Sequence, residues 1–228
     1  MRGFRGRNAI VGLAVTGAAA FGAAHALGVT ETITTLPTCC TFTKPTFTID
    51  PGQVATFQNN DGSSHNVYAS DKGPDGAVLF SSNTTTSGQT PVNGTQYLGT
   101  GTYTFVCTVH LDMTANLVVT GNGSPVARPG VVLTVVSKKL DQVLSSGKLK
   151  VKVSSSAASS DVVLTAQKGA KKLGSKGNIN VAAGASPTVK LPLTHSGKNA
   201  LKNVGSAKVK VSAAVPFGSP ATAKRKLH

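Results

Sequence analysis

Apolar and polar residues alternate with a period of two over short stretches along most of this chain. In Thr102-Tyr103-Thr104-Phe105-Val106-Cys107, the residues Tyr103, Phe105 and Cys107 share one face, with Thr104 and Val106 on the other. The stretches Thr46–Ile49, Val54–Asn59, His65–Ser70 and Asn116–Thr120 also read as strands, as does Cys40–Thr43. Asp50-Pro51-Gly52-Gln53 has the residues of a turn. Residues 71–96, rich in Gly, Ser, Thr, Asn and Pro, read as a loop. Beyond residue 130, Val131–Val136 is an apolar strand, and Lys148–Val153 and Ala207–Val211 alternate lysine with apolar residues. Asp161–Thr165 and Pro187–Leu191 are further strands, residues 195–204 a short helical crossing, and residues 223–228 a frayed basic end. Short strands separated by turns predict an all-β chain.

Composition and charge divide that chain. Residues 1–26 begin with Arg2, Arg5 and Arg7, continue as an Ala/Gly-rich apolar run and end at Ala24-His25-Ala26, which is the layout of a cleaved secretion signal. The run is shorter than the ~20 residues that a spanning helix needs. Gly121-Asn122-Gly123-Ser124-Pro125 opens a stretch of linker composition that reaches Gly130. The organisation read from this is a signal at 1–26, a domain at 27–121, a linker at 122–130 and a second domain at 131–228. The net charge of +15 is carried unevenly: the middle region is mildly acidic, and residues 131–228 hold seventeen Lys and Arg against Asp141 and Asp161. The two domains therefore meet different partners. A basic domain of an exported chain suits an anionic cell-envelope polymer or a membrane surface. It does not suit nucleic acid, because no aromatic residues interleave with the lysines.

The chemistry concentrates at Cys107, His110 and Met113, a thiolate, an imidazole and a thioether at a strand end and in the loop after it. A soft thiolate with imidazoles and a weak thioether suits copper cycling between Cu(I) and Cu(II). Zinc is the nearest rival, and the methionine argues against it. Such a centre needs a second imidazole. Of the five histidines, His25 falls in the signal and His195 and His228 in the lysine-rich region, which leaves His65. Cys39 and Cys40 are adjacent. On a strand they face opposite sides, one thiol buried and one at the surface. An auxiliary Cu(I) site and an intermolecular disulfide are the alternatives.

These residues sit in a pattern that resembles the cupredoxins, the plastocyanin and amicyanin family of blue copper proteins. Gly52, Val54 and Phe57 precede Asn60-Asp61 and His65-Asn66-Val67; Gly101, Tyr103, Phe105, Cys107, His110 and Met113 follow. The resemblance covers residues 40–121. It implies a cupredoxin-like β-sandwich holding one type 1 copper ion through His65, Cys107, His110 and Met113. It also implies that Asn66 bonds across to the loop around Thr108, and that His110 is the electron port to a protein redox partner. The second domain reads as an immunoglobulin- or fibronectin-like β-sandwich. The expectation is a secreted or extracytoplasmic electron-transfer protein and not an enzyme, since dioxygen-reducing copper clusters need His-x-His pairs and the sequence has none. A copper-storage protein and a structural envelope module are the alternatives.

Overall fold

The computed structural model describes residues 30–228, so the expected signal at 1–26 lies outside the described residues. Eight strands form the first unit: β1 (Thr32–Thr34), β2 (Thr46–Ile49), β3 (Ala55–Asn59), β4 (Tyr68–Ala69), β5 (Ser81–Ser82), β6 (Gly88–Asn93), β7 (Gly101–Val106) and β8 (Thr114–Val119). They pair in the order β1-β3-β6-β5-β4-β7-β8-β2. The two ends of that order meet. Glu31 N–H donates to the Thr48 carbonyl at 3.1 Å, and Thr30 bridges Ile49. The sheet thus curls onto itself and leaves little unpaired edge.

The alternation read from the sequence decides what fills this sheet. Ala55, Phe57 and Asn59 of β3 point inward, as do Ala115, Leu117 and Val119 of β8. Phe42, Phe47, Phe57, Phe80 and Phe105 meet in the interior, most of them edge to face with centroids 5.0 to 6.5 Å apart. Phe105 stands two residues before Cys107 on the same face, so aromatic packing fixes the strand that delivers the sulfur.

Two expectations fail here. Residues 40–43 do not form a strand. They close a small hairpin in which Leu36 N–H donates to Thr41 O and Thr43 N–H to Thr34 O, with a turn at Pro37–Cys40 as its tip. Residues 71–96 are not only loop: they contain β5 and β6. β6 presents a single buried apolar side chain, Val92, and even carries Pro91, so its composition hid it. Backbone pairing to β3 from Ala55↔Val92 to Asn59↔Gly88 holds it in place.

The remaining strands build a second core. They are β9 (Val131–Val135), β10 (Lys148–Ser155), β11 (Ser159–Lys168), β12 (Lys171–Val181), β13 (Thr188–Pro192), β14 (Ala207–Ala214) and β15 (Ala221–Leu227), with helices α1 (Leu140–Ser146) and α2 (His195–Leu201) between them. One sheet runs β13-β10-β9 and the other β12-β11-β14-β15. The chain crosses between sheets three times, after β10, β12 and β13, as sandwiches of the immunoglobulin kind do. Valines and leucines of the two inner faces form one cluster, and the lysines take the outward positions. The frayed end expected at 223–228 is instead part of β15, paired with β14 from Ala213↔Ala221 to Ala207↔Leu227, and Leu227 is fully buried. Its inward residues are Ala221, Ala223, Arg225 and Leu227, too weak an apolar signal beside the Lys224-Arg225-Lys226 charge run.

The two units touch at Phe217. Its N–H donates to Asp75 Oδ2 at 2.8 Å, its carbonyl accepts from Arg128 at 3.0 Å, and its ring lies 6.0 Å from that of Tyr97. Gly94, at φ +104°, leaves room for it: a Cβ there would lie 2.8 Å from the Phe217 ring.

One carboxylate staples the ends of the curled sheet. Glu31 accepts from Lys44 Nζ at 2.9 Å and from Thr48 N–H at 2.7 Å. The Lys44 bond first, and then the Thr48 bond, hold its pKa below the ordinary carboxylate value. A lowered folded-state pKa gives stability that is present above the unfolded value and lost as pH falls through the folded one. Glu31→Ala is expected to cost about 0.5–1 kcal/mol at neutral pH, a figure kept small because the pair is partly solvated. In urea titrations the gap between variant and wild type should close as acid protonates the carboxyl.

Candidate metal centre

Cys107 follows directly on β7, and its loop is tightly closed. Met113 N–H donates to the His110 carbonyl at 2.9 Å, and Cys107 N–H donates to the Met113 carbonyl at 3.0 Å. This returns His110 over Cys107, with Nδ1 3.8 Å from the sulfur. His65 comes from the segment just before β4, the strand paired with β7. Its backbone exchanges two 3.0 Å bonds with Thr85. Asn66 ties the two segments together as the resemblance implies: its Nδ2 donates to Thr108 Oγ1 at 2.8 Å and its Oδ1 accepts from Thr108 N–H at 2.9 Å.

Three donor atoms therefore converge. His65 Nδ1 is 3.6 Å from Cys107 Sγ and 3.1 Å from His110 Nδ1. A point equidistant from the three lies about 2 Å from each, the length of a bond from a first-row metal to nitrogen. Cys107 and His65 are fully buried, His110 is partly exposed, and Met113 is 3% exposed at the end of the same loop. All four residues predicted from the sequence thus lie on the two segments that meet here. His195, on α2, and His228, after β15, stand in the second unit.

The sequence reading gave Asp61 no role, and the structure gives it one. Its Oδ2 lies 2.7 Å from His65 Nε2, with both side chains almost completely buried. The other carboxylate oxygen accepts from Ser63 N–H at 2.7 Å. A carboxylate can only accept from the ring, so His65 Nε2 carries a proton, and in the neutral ring that leaves the Nδ1 lone pair facing Cys107. A carboxylate four residues before a ligand histidine was the available signal, since metal-bound imidazoles regularly carry such a partner.

The cysteine pair departs from expectation. Cys39 and Cys40 are not one buried and one surface thiol but a disulfide. Strand alternation does not apply at a hairpin tip, where both side chains turn to one side. That side is the metal centre: Cys39 Sγ is 3.9 Å from His110 Nε2.

Residues 32–120 match the family described as copper binding proteins, plastocyanin/azurin family. Solved structures with similar folds include three forms of amicyanin. A reduced Trp-to-Tyr mutant is 21% identical, with 40% of this chain and 81% of that one covered and a TM-score of 0.33. The Cu(I) form at pH 4 of a Pro-to-Gly mutant is 22% identical, covering 43% and 90%, with a TM-score of 0.33. The Cu(I) form of a Met-to-Ala mutant is 24% identical, covering 40% and 85%, with a TM-score of 0.32. Likeness at this level decides nothing about activity. Comparison with curated proteins returns no match. The family match and the donor set agree on the cofactor, one copper ion of type 1: thiolate and thioether sulfur with imidazole nitrogen is a soft set that favours copper over zinc.

Removing the carboxylate that orients His65 should be felt at the metal. Asp61→Ala is expected to weaken copper binding by about 10–100-fold in competition with a chelator. Asp112→Ala, an exposed change in the same region, should leave it within about twofold.

Proposed function

Taking residues 32–120 as a copper domain of the plastocyanin/azurin kind, we propose that this protein is an extracytoplasmic electron carrier. In it His65, Cys107 and His110 hold one copper ion and Met113 supplies a long axial contact. The observation that carries this reading is the triangle of Cys107 Sγ, His65 Nδ1 and His110 Nδ1, with the His65 tautomer fixed by Asp61. Bound copper supplies a one-electron couple between Cu(I) and Cu(II).

The chain's own contribution is to hold the donors still and to shield them. The Asn66–Thr108 pair, the closed Cys107–Met113 loop and the Phe105 packing leave the ligand segments little room to move between oxidation states. His110 is the one imidazole with a path to solvent. It stands beside Val109 and Leu111, which are 49% and 74% exposed. Two exposed apolar residues around a half-buried imidazole suit brief docking by a protein redox partner, with the electron passing through the ring. Donation and acceptance of electrons, without substrate turnover, make this a carrier and not an enzyme.

The second unit anchors the carrier to an anionic surface of the cell envelope, either wall polymer or lipid headgroups. Lysines lie directly opposite one another in its ladders: Lys208↔Lys226 and Lys210↔Lys224 on one sheet, Lys150↔Lys190 on the other. Like charges in register repel. A bound polyanion relieves that repulsion.

Copper-loaded, oxidised protein is expected to show an intense visible thiolate-to-Cu(II) band that Cys107→Ala abolishes and Cys39→Ser/Cys40→Ser retains. A colourless Cu(II) complex would rule out the blue-copper assignment. For the second unit, the Lys208→Gln/Lys210→Gln/Lys224→Gln/Lys226→Gln variant should co-sediment several-fold less with anionic polymer or anionic vesicles in low salt, while its copper spectrum stays unchanged. Retained co-sedimentation would remove the anchoring role.

A further inference from the structure

Beside the His65–Cys107–His110 triangle, and sharing its two histidines, a second group of metal-ligating side chains stands out. Donor atoms of Cys39, Cys40, His65 and His110 all lie within 4.8 Å of one another. His65 and His110 belong to both groups, and Cys39 and Cys40 are the new members. His110 Nδ1 faces Cys107 and His65, and its Nε2 faces Cys39 Sγ at 3.9 Å. Exposure falls along the series: Cys39 is exposed, Cys40 and His110 are partly covered, and His65 and Cys107 are buried. The cysteine pair therefore sits on a more exposed side of the buried centre, against His110.

The hairpin that carries the pair is not a loose loop. Thr34 and Thr43 pair across its base, with Thr43 N–H donating to Thr34 O at 2.9 Å. Phe42, two residues after Cys40, is buried and meets Phe105 edge to face at 5.0 Å. One aromatic contact thus fixes the Cys39–Cys40 tip relative to the strand that delivers Cys107. Placement this firm is more than a passive disulfide at a loop tip requires.

We propose that the Cys39–Cys40 pair, in its reduced form, is a second copper site: a receptor for Cu(I) at the mouth of the buried centre, switched by thiol–disulfide exchange. The proposal rests on the copper reading of the buried centre for its purpose, though not for its chemistry. The disulfide has no thiolate and does not hold Cu(I). Two equivalents of a thiol reductant cleave the S–S bond by exchange, giving the Cys39 and Cys40 thiols and one disulfide of the reductant. Cu(I) then displaces the two thiol protons and is held by two thiolates, ligands soft enough to prefer Cu(I) to zinc or to harder ions. His110 lies between this ion and the inner donors, so copper taken up at the tip is one ligand exchange from the triangle. Exchange with a low-molecular-weight disulfide re-forms the Cys39–Cys40 bond and releases two equivalents of the corresponding thiol, which removes the outer ligands and leaves the inner centre as the place where copper is kept.

The test is an anaerobic titration of the whole protein with Cu(I) against a chromophoric Cu(I) chelator. It compares protein reduced with dithiothreitol and desalted with protein in the disulfide form. The reduced wild type is expected to withhold two Cu(I) from the chelator and the disulfide form one. Cys39→Ser/Cys40→Ser should withhold one under both conditions. Equal counts for the reduced and disulfide wild type overturn the proposal, and this comparison needs no variant to fold. If the buried-centre reading is wrong and the receptor right, the disulfide form and the double variant withhold none while the reduced wild type withholds one.

Discussion

The first unit is arranged around three donor atoms held close enough to share one cation. Two imidazole nitrogens stand 3.1 Å apart with a cysteine sulfur within 4 Å of both, in a pocket where His65 and Cys107 meet no solvent. Asp61 takes the His65 proton to the far nitrogen, so the near one arrives as a bare donor. Without a metal, a hydrogen on His110 Nδ1 or on the Cys107 thiol can bridge to His65 Nδ1 at these distances. A cation at their centre would take the place of those hydrogens and draw on all three donors at once. The surrounding bonds make sense as the means of holding this arrangement: Asn66 across to Thr108, Cys107 N–H to Met113 O, and the reciprocal His65–Thr85 pair.

Much of this was legible in the sequence because its signals are local. Alternation marked Tyr103–Cys107 as a strand. Copper-ligand chemistry picked out Cys107, His110 and Met113, and the scarcity of histidine pointed to His65. What stayed hidden depended on partners distant in sequence. Asp61 gains its role only when His65 folds back onto it. β6 exists because β3 offers a backbone ladder, although its own residues read as loop. β15 was obscured by its charge, since the run Lys224-Arg225-Lys226 reads as a solvated tail until β14 pairs with it residue for residue. Strand alternation also misled at Cys39 and Cys40, because the rule requires extended backbone and the chain turns there.

The two units use opposite means of satisfying charge. In the first, the few charged groups are paired or put to work: Glu31 joins the sheet ends and Asp61 orients a ligand. In the second, lysines face lysines across strands, whereas the Glu31–Lys44 ion pair lies in the first unit. The second core is held by valine and leucine, and its surface charge does not contribute to that cohesion. Such a surface is suited to an external counter-charge, so the anchoring proposed for that unit would use its faces rather than a pocket.

The contact at Phe217 links these two economies of charge. Asp75 and Arg128 grip the Phe217 backbone from the first unit and the linker, while Gly94 and Tyr97 receive its ring. None of these residues lies in the loop that carries His110. The junction therefore runs through Asp75, Gly94 and Tyr97, and Val109, Leu111 and His110 stay without a role in it. The docking proposed for electron exchange and the attachment proposed for the second unit would therefore draw on separate residues, so one chain could serve both.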